Sequence, residues 1–125
     1  MIVTDERVAR FVGERCGSII YPPFTAMGIE RDGKITAGVV FNCYTGHDIS
    51  VTVAGGPFNR DFIAAVGKYV FEKVGCERMS ITTEQPQVIE IAQRLGAAVE
   101  GLKRNHFGKG RDATILGILR EDWNY

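Results

Sequence analysis

The segment best suited to chemistry joins a strand-like stretch to a helix-like one. Residues 49–53 alternate apolar and small polar side chains, as a half-buried strand does, and Ala54-Gly55-Gly56-Pro57 follows directly. Asn59 then stands where a helix cap is favoured. A glycine loop that leads into a helix start can bind an anion such as a pyrophosphate, because the first helical N–H groups have no partner. The same string also fits an ordinary tight turn, since Pro57 has no N–H and Asn59 can itself accept from a free N–H.

Side chains at two further positions in the sequence could act in proton transfer. His47-Asp48, in a predicted turn, could take a proton from an attacking amine, and Glu84, after a predicted strand, could act as a base. Each also has a structural interpretation. Asp48 can cap its own turn, and Glu84 is favourable at the start of the next helix. The sequence therefore assigns no catalytic residue.

A run of basic side chains occupies the last predicted hairpin: Lys103, Arg104, His106, Lys109 and Arg111. The run could meet an acidic acceptor or a phosphate, or it could be a solvated hairpin that protects a sheet edge. It is too small to make nucleic acid the default partner. Lys and Arg together number 15, as do Asp and Glu, so bulk charge also argues against a nucleic-acid-binding chain.

The spacing of the cysteines and the short apolar runs exclude several classes of protein. Cys16, Cys43 and Cys76 lie far apart, which indicates reduced thiols in a reducing compartment and argues against a disulfide framework or a zinc site. The longest apolar runs are about four or five residues, too short to cross a bilayer. We therefore expect no membrane segment.

The predicted elements form one domain over residues 1–125. Asp32-Gly33 is a favoured two-residue hairpin turn. The predicted elements are a helix capped by Thr4, strands 24–31, 34–43 and 49–53, a helix from Asn59 to Gly75, strand 77–83, a helix from Pro86 to Gly96, and strands 98–105 and 112–120. The first three strands are joined by turns too short for crossovers, so the sheet is predicted to be mixed, with helices packed on it.

Several strings, in their order and spacing, resemble the GNAT superfamily of acetyl-CoA-dependent N-acetyltransferases, and most closely its small phage-encoded forms. The strings lie at 28–34, 38–42, 69–71, 74–78, 94–96, 100–101 and 112–123. The resemblance covers residues 24–123 and implies an α/β (α+β) fold. This fold is a mixed, mostly antiparallel sheet of about six strands flanked by three helices, with two central strands that splay apart.

The resemblance also implies a cofactor and the residues that bind it. The pantetheine arm of acetyl-CoA would lie between strands 49–54 and 78–83 and pair with backbone near Val51 and Val53. One N–H there would polarise the thioester carbonyl. Gln85 stands where many members carry an Asn that lines the cofactor. The pyrophosphate would lie over Gly55, Gly56, Phe58, Asn59 and Arg60.

The chain departs from the family pattern in three respects. Ala54 replaces the Arg or Gln that usually opens the phosphate loop, and Pro57 replaces a glycine. Ala92 stands nearest to the usual Tyr that protonates the leaving thiolate, so no catalytic acid is assigned. The N-terminal part, which often shapes the acceptor pocket, is short. A second subunit could complete it, so a homodimer is one expectation.

The sequence thus predicts an N-acetyltransferase that transfers acetyl from acetyl-CoA to a small-molecule or peptide amine by direct attack in a ternary complex. The alternative is a GNAT-like binding or assembly module without catalysis, such as a phage accessory protein. Either is expected in the cytoplasm of a bacterial or phage-infected cell. A third alternative, an α+β domain unrelated to acetyl transfer, would lack the splay.

Overall fold

A seven-stranded sheet organises the computed structural model, which describes residues 1–125. The strands are β1 (Ile2–Val3), β2 (Thr25–Arg31), β3 (Lys34–Asn42), β4 (Asp48–Gly55), β5 (Arg78–Thr83), β6 (Ala98–Lys103) and β7 (Ala113–Leu119). Their spatial order is β1-β2-β3-β4-β5-β7-β6. Only β4 and β5 run parallel. The predicted mixed, mostly antiparallel sheet is confirmed, with β1 as one strand more than expected.

The helices are α1 (Glu6–Cys16), α2 (Arg60–Gly67) and α3 (Pro86–Arg94). After α2 the chain continues in π-helical geometry through Lys68–Val74. A 3₁₀ turn, Arg120–Asp122, follows β7. None of the helices has both the length and the apolar character that a membrane crossing requires.

Local signals set the ends of these elements. Asp32 (φ 51°) and Gly33 (φ 76°) are both left-handed, as a type I′ hairpin between β2 and β3 requires. The Asn59 side chain accepts from the Phe62 N–H at 2.8 Å and so begins α2, as predicted. The helical stretch that α2 opens ends at Gly75, which is left-handed. The cap of α1 is Asp5 and not the predicted Thr4, because the Asp5 carboxylate accepts from the Arg7 N–H at 3.0 Å.

The sheet carries an apolar cluster on each face. Alternate β3 residues divide between them, since Val39 and Phe41 join one cluster and Val40 the other. The larger cluster packs α2 and α3 against the sheet, and the smaller packs α1 against the opposite face. The ends of β4 and β5 therefore lie between helices on both sides.

Candidate functional site

The two central strands separate at their carboxyl ends. β4 and β5 are paired from Asp48 and Arg78 as far as Thr52 and Thr82. Beyond that point β4 continues to Gly55 and pairs only with β3. The pairing of the two strands therefore ends before β4 does, as the predicted splay requires, and we call the space beyond Thr52 and Thr82 the wedge.

A tight glycine loop forms the edge of the wedge. Gly55 (φ 77°) and Gly56 (φ 147°) both have positive φ. The Gly56 N–H donates to the Thr36 carbonyl at 3.1 Å and so fixes the loop to β3. A Cβ at Gly55 would overlap that same carbonyl oxygen. Glycine is thus required at position 55 by both backbone conformation and space.

The start of α2 presents a row of free N–H groups. The backbone N–H groups of Phe58, Asn59, Arg60 and Asp61 donate to no acceptor in the protein. The next N–H, that of Phe62, is taken by the Asn59 side chain. Asn59 therefore uses one N–H and leaves four at the positive end of a helix, where an anion is stabilised.

Two cavities meet at the wedge. The first, which we call the groove, has a volume of about 540 Å³ and lies between the glycine loop and the start of α3. The second, the chamber, has a volume of about 230 Å³ and lies on the α1 side. The two cavities share Arg15, Gly55 and Gln85 as lining residues, so they adjoin at the wedge.

Gln85 crosses the wedge between the two cavities. It holds the cap position of α3, but its side chain forms no cap hydrogen bond. Instead its Nε2 donates to the Gly55 carbonyl at 3.0 Å. The Gly55 carbonyl therefore faces the wedge and accepts an amide N–H there.

The other residues predicted to bind a cofactor differ in their distance from the wedge. Val53 lies just beyond the last β4–β5 pair, whereas Val51 lies within the paired region. Phe58 stacks on Phe62, with ring centroids 5.8 Å apart, and lines the groove. The Arg60 Nε donates to the Tyr125 hydroxyl at 2.9 Å, and this bond raises the pKa of Arg60.

The chamber contains a carboxylate and a thiol. Glu84 accepts two hydrogen bonds from Arg111, at 2.8 and 3.1 Å, in a bidentate pair. This pair raises the pKa of Arg111. Burial raises the pKa of the Cys16 thiol, so the thiol stays protonated at neutral pH.

His47-Asp48 lies at the opposite end of β4, about 23 Å of strand away from Gly55. The Asp48 carboxylate accepts from the Ser80 hydroxyl at 2.8 Å, and the His47 carbonyl accepts from the Glu77 N–H at 2.8 Å. These contacts join the amino ends of β4 and β5. The structure does not bring this pair to the wedge.

Sequence reasoning missed Arg15, which lines both cavities. Its guanidinium lies 4.7 Å from the centroid of the Phe11 ring. The only signal in the sequence is its place in the last turn of a helix with one apolar face. That pattern does not reveal that α1 packs beside the glycine loop.

Solved structures share this architecture, although no family model and no curated protein matches the sequence. The spermidine/spermine N-acetyltransferase SpeG from Vibrio cholerae, in complex with manganese ions, has 13% identity and a TM-score of 0.70. The match covers 97% of this chain and 92% of that chain. A chimera of the Vibrio cholerae SpeG and hSSAT has 15% identity and a TM-score of 0.67, with 97% and 95% covered. A putative acetyltransferase from T. thermophilus has 18% identity and a TM-score of 0.66, with 82% and 62% covered.

The chain has the GNAT fold. The resemblance predicts a cofactor at the wedge, the glycine loop and the start of α2. At these identities the likeness concerns the fold, and the chemistry must be argued from the site itself.

Proposed function

We propose that the protein is an N-acetyltransferase that transfers an acetyl group from acetyl-CoA to an amine. The observation that carries this proposal is the wedge between β4 and β5, with a cavity on each side of it. A long, thin carrier can lie in the groove with its reactive end directed through the wedge. An acceptor can then approach from the chamber.

The residues at the groove fit coenzyme A. The four free N–H groups at the start of α2 suit its pyrophosphate. The pantetheine arm has amide N–H groups that can donate to the Gly55 carbonyl in place of Gln85. Displacing that single hydrogen bond costs about 1 kcal/mol. We therefore propose Gly55, Gly56, Phe58, Asn59, Arg60, Val51, Val53 and Gln85 as the residues around the bound cofactor.

When bound, acetyl-CoA would supply a thioester carbonyl carbon for attack by the amine nitrogen. A C–N bond would form, the C–S bond would break, and the proton lost by the amine would balance the one taken up by the leaving thiolate. Backbone N–H groups near the end of β4 stabilise the charge that develops on the carbonyl oxygen. Ala92 cannot supply the proton, because its methyl side chain has no acidic group, and it lies buried in an entirely apolar pocket. The catalytic base and acid stay unassigned.

Isothermal titration with acetyl-CoA, followed by an assay of amine-dependent thiol release, tests this function. Gly56→Glu is the informative variant, because a Cβ there meets only the Phe58 ring at 3.5 Å while the new carboxylate enters the groove. We expect it to weaken acetyl-CoA binding by about tenfold or more, because like charges repel at the phosphate site. Gly55→Glu is unsuitable, because its Cβ would overlap backbone.

Gly56→Gln is the matched control, since it adds a side chain of the same length and the same backbone strain at φ 147° without the charge. It should bind acetyl-CoA more tightly than Gly56→Glu. Equal affinity of the Gly56→Glu protein and the wild type would place the phosphates elsewhere. No binding at millimolar acetyl-CoA would remove the enzyme proposal.

The second candidate function is a GNAT-like module that binds without catalysis. Two observations favour it: Ala92 offers no acid, and the one carboxylate of the chamber is already paired with Arg111. This candidate predicts acetyl-CoA binding without thiol release for any amine. Amine-dependent thiol release would exclude it.

A further inference from the structure

The chamber has an uneven distribution of charge. Arg15, Glu84 and Arg111 are its charged lining residues. Its volume is about 230 Å³. Because a cavity of about 150 Å³ holds a benzene molecule, the chamber has room for a small acceptor. The charges on its wall therefore bear directly on which amine can enter.

The one carboxylate of the chamber is not free. Arg111 donates to both oxygens of Glu84, at 2.8 and 3.1 Å. A bidentate guanidinium–carboxylate pair is among the strongest side-chain hydrogen-bond arrangements. An ammonium group that approaches Glu84 must compete with this pair, so the chamber has no unpaired negative charge to offer a polycation.

Arg15, in contrast, keeps an unneutralised charge. It forms no ion pair with any carboxylate of the protein. The Phe11 ring supports its guanidinium at the wall of the chamber. Glu14, its neighbour in sequence, does not line the chamber. The planar guanidinium of Arg15 can therefore bind a carboxylate or a phosphate with two hydrogen bonds.

The loop over residues 104–112 extends the same sign of charge around the mouth. Phe107, which is buried, fixes this loop against α1. Arg104 and Lys109 are exposed and form no ion pair. The acid of the loop, Asp112, accepts a backbone N–H of the loop itself at 2.8 Å. The chamber lining and this loop together carry more positive than negative side chains, with Arg15, Arg111, Arg104 and Lys109 against Glu84 and Asp112, and this excess favours an anion over a cation.

From this distribution we propose that the acceptor is an amine that also carries an anionic group, and that Arg15 binds this group. The inference rests on the proposed function and names its substrate class. The solved structures with this fold include a protein named a spermidine/spermine N-acetyltransferase. A polyamine is positive at each end, and in this chain it would meet two guanidinium groups and no free carboxylate.

The test compares amines that differ at one end. 4-Aminobutanoate, butylamine and 1,4-diaminobutane share a four-carbon chain and end in a carboxylate, a methyl group and an ammonium group. 2-Aminoethyl phosphate adds a phosphate. Thiol release from acetyl-CoA gives kcat/KM for each. ¹H–¹⁵N spectra of the protein with coenzyme A report acceptor binding at the Arg15 and Phe107 amides. We expect at least one of the two anionic amines to have a kcat/KM about tenfold above those of butylamine and 1,4-diaminobutane. A charge-assisted hydrogen-bonded pair accounts for a difference of this size.

Arg15→Gln is the decisive variant, and Arg10→Gln is its matched control. Arg10 lies on the same helix, is exposed and lines neither cavity. Arg15→Gln should raise KM for the anionic amine by about tenfold and change kcat by less than about twofold, because it removes a contact that binds the substrate equally in the ground state and the transition state. Arg10→Gln should change neither. Arg10→Gln should bind acetyl-CoA as the wild type does. Because Arg15 also lines the groove, the acceptor KM of Arg15→Gln is measured at saturating acetyl-CoA.

Three results would overturn the inference: preference for 1,4-diaminobutane, no binding of either anionic amine, or an Arg15→Gln protein that loses acetyl-CoA affinity but keeps its acceptor KM. The proposed function fails separately. An anionic amine that binds at Arg15 without thiol release would support this inference and remove acetyl transfer. Turnover of 1,4-diaminobutane alone would support acetyl transfer and overturn the inference about the acceptor.

Discussion

Gly55 shows how single atoms shape the site. A Cβ on this residue would overlap the Thr36 carbonyl oxygen and lie 2.9 Å from Cζ of Phe11. The residue therefore brings the end of β4 against both β3 and α1, with its own carbonyl turned into the wedge. The same glycine has a structural role and a place in the candidate site.

Gly55→Ala should cost about 3 kcal/mol of unfolding free energy, since the overlap adds to the strain of a left-handed alanine. Gly33→Ala is the control, because Gly33 has φ 76° against 77° at Gly55 but no atom within 4 Å of its added Cβ. It should cost about 1 kcal/mol. Urea unfolding measures both, and equal losses would show that the overlap is relieved at no cost.

The cap of α1 by Asp5 makes the stability of the folded protein depend on pH. Hydrogen bonds from the Arg7 side chain and N–H lower the pKa of Asp5 to about 2. The folded pKa lies below that of the unfolded chain, about 3.9, so the stabilisation is complete above that value and is lost as the pH falls towards about 2. Asp5→Asn keeps a capping oxygen but removes the charge. Its Tm should lie below that of the wild type at pH 5, and the difference should shrink by pH 2. A constant difference would contradict this.

At the scale of elements, the helix over residues 60–74 depends on the C-terminal segment. Gly67 lies where regular α-helix passes into π-helical geometry. A Cβ at Gly67 would overlap the indole ring of Trp123. Trp123 also contacts Phe71, with ring centroids 5.7 Å apart. The last residues of the chain therefore cover the backbone of this helix.

The effect of Gly67→Ala should reverse with the residue at position 123. In the wild type the indole must move, so we expect a loss of about 1 to 2 kcal/mol despite the better helix propensity of alanine. In a Trp123→Ala background the same change should gain about 1 kcal/mol. A double-mutant cycle by urea unfolding measures the coupling. The same sign in both backgrounds would refute the close packing.

Elements with local signals could be predicted, and those that depend on distant contacts could not. The Asp32-Gly33 turn, the Asn59 cap and the Gly75 stop each reflect a property of one or two residues. β1 has only two residues, and it is a strand because it pairs with β2 more than twenty positions away. No alternation can appear in so short a stretch.

The residues of the candidate site also differ in whether the sequence alone could predict them. Gly55, Gly56 and Asn59 lie within five consecutive residues, so their spacing alone indicates a loop before a helix. Arg15 and Arg111 are 96 positions apart, and they meet because α1 and the loop 104–112 pack on the same face of the sheet. Only the three-dimensional structure shows that both line one chamber.

At the scale of the whole molecule, burial divides the three cysteines. Cys16 and Cys76 are buried, and burial raises the pKa of both thiols. Cys43 follows β3 and is exposed. The folded protein therefore presents a single accessible thiol.

A thiol reagent at mild alkaline pH should label one cysteine rapidly in the native protein and the other two only in denaturant. Cys43→Ser should remove the rapid reaction and leave the slow one. Rapid labelling of two thiols in the native protein would show that one of the apolar clusters opens readily.

The single parallel pair divides the sheet into two halves. β1 to β4 form one antiparallel set, β5 to β7 form the other, and the five residue pairs between β4 and β5 join them. A small rotation of one half relative to the other would alter the width of the opening without breaking a hydrogen bond of either antiparallel set. Tightening around an incoming carrier would therefore act on this short junction and on the apolar cluster that packs both halves together.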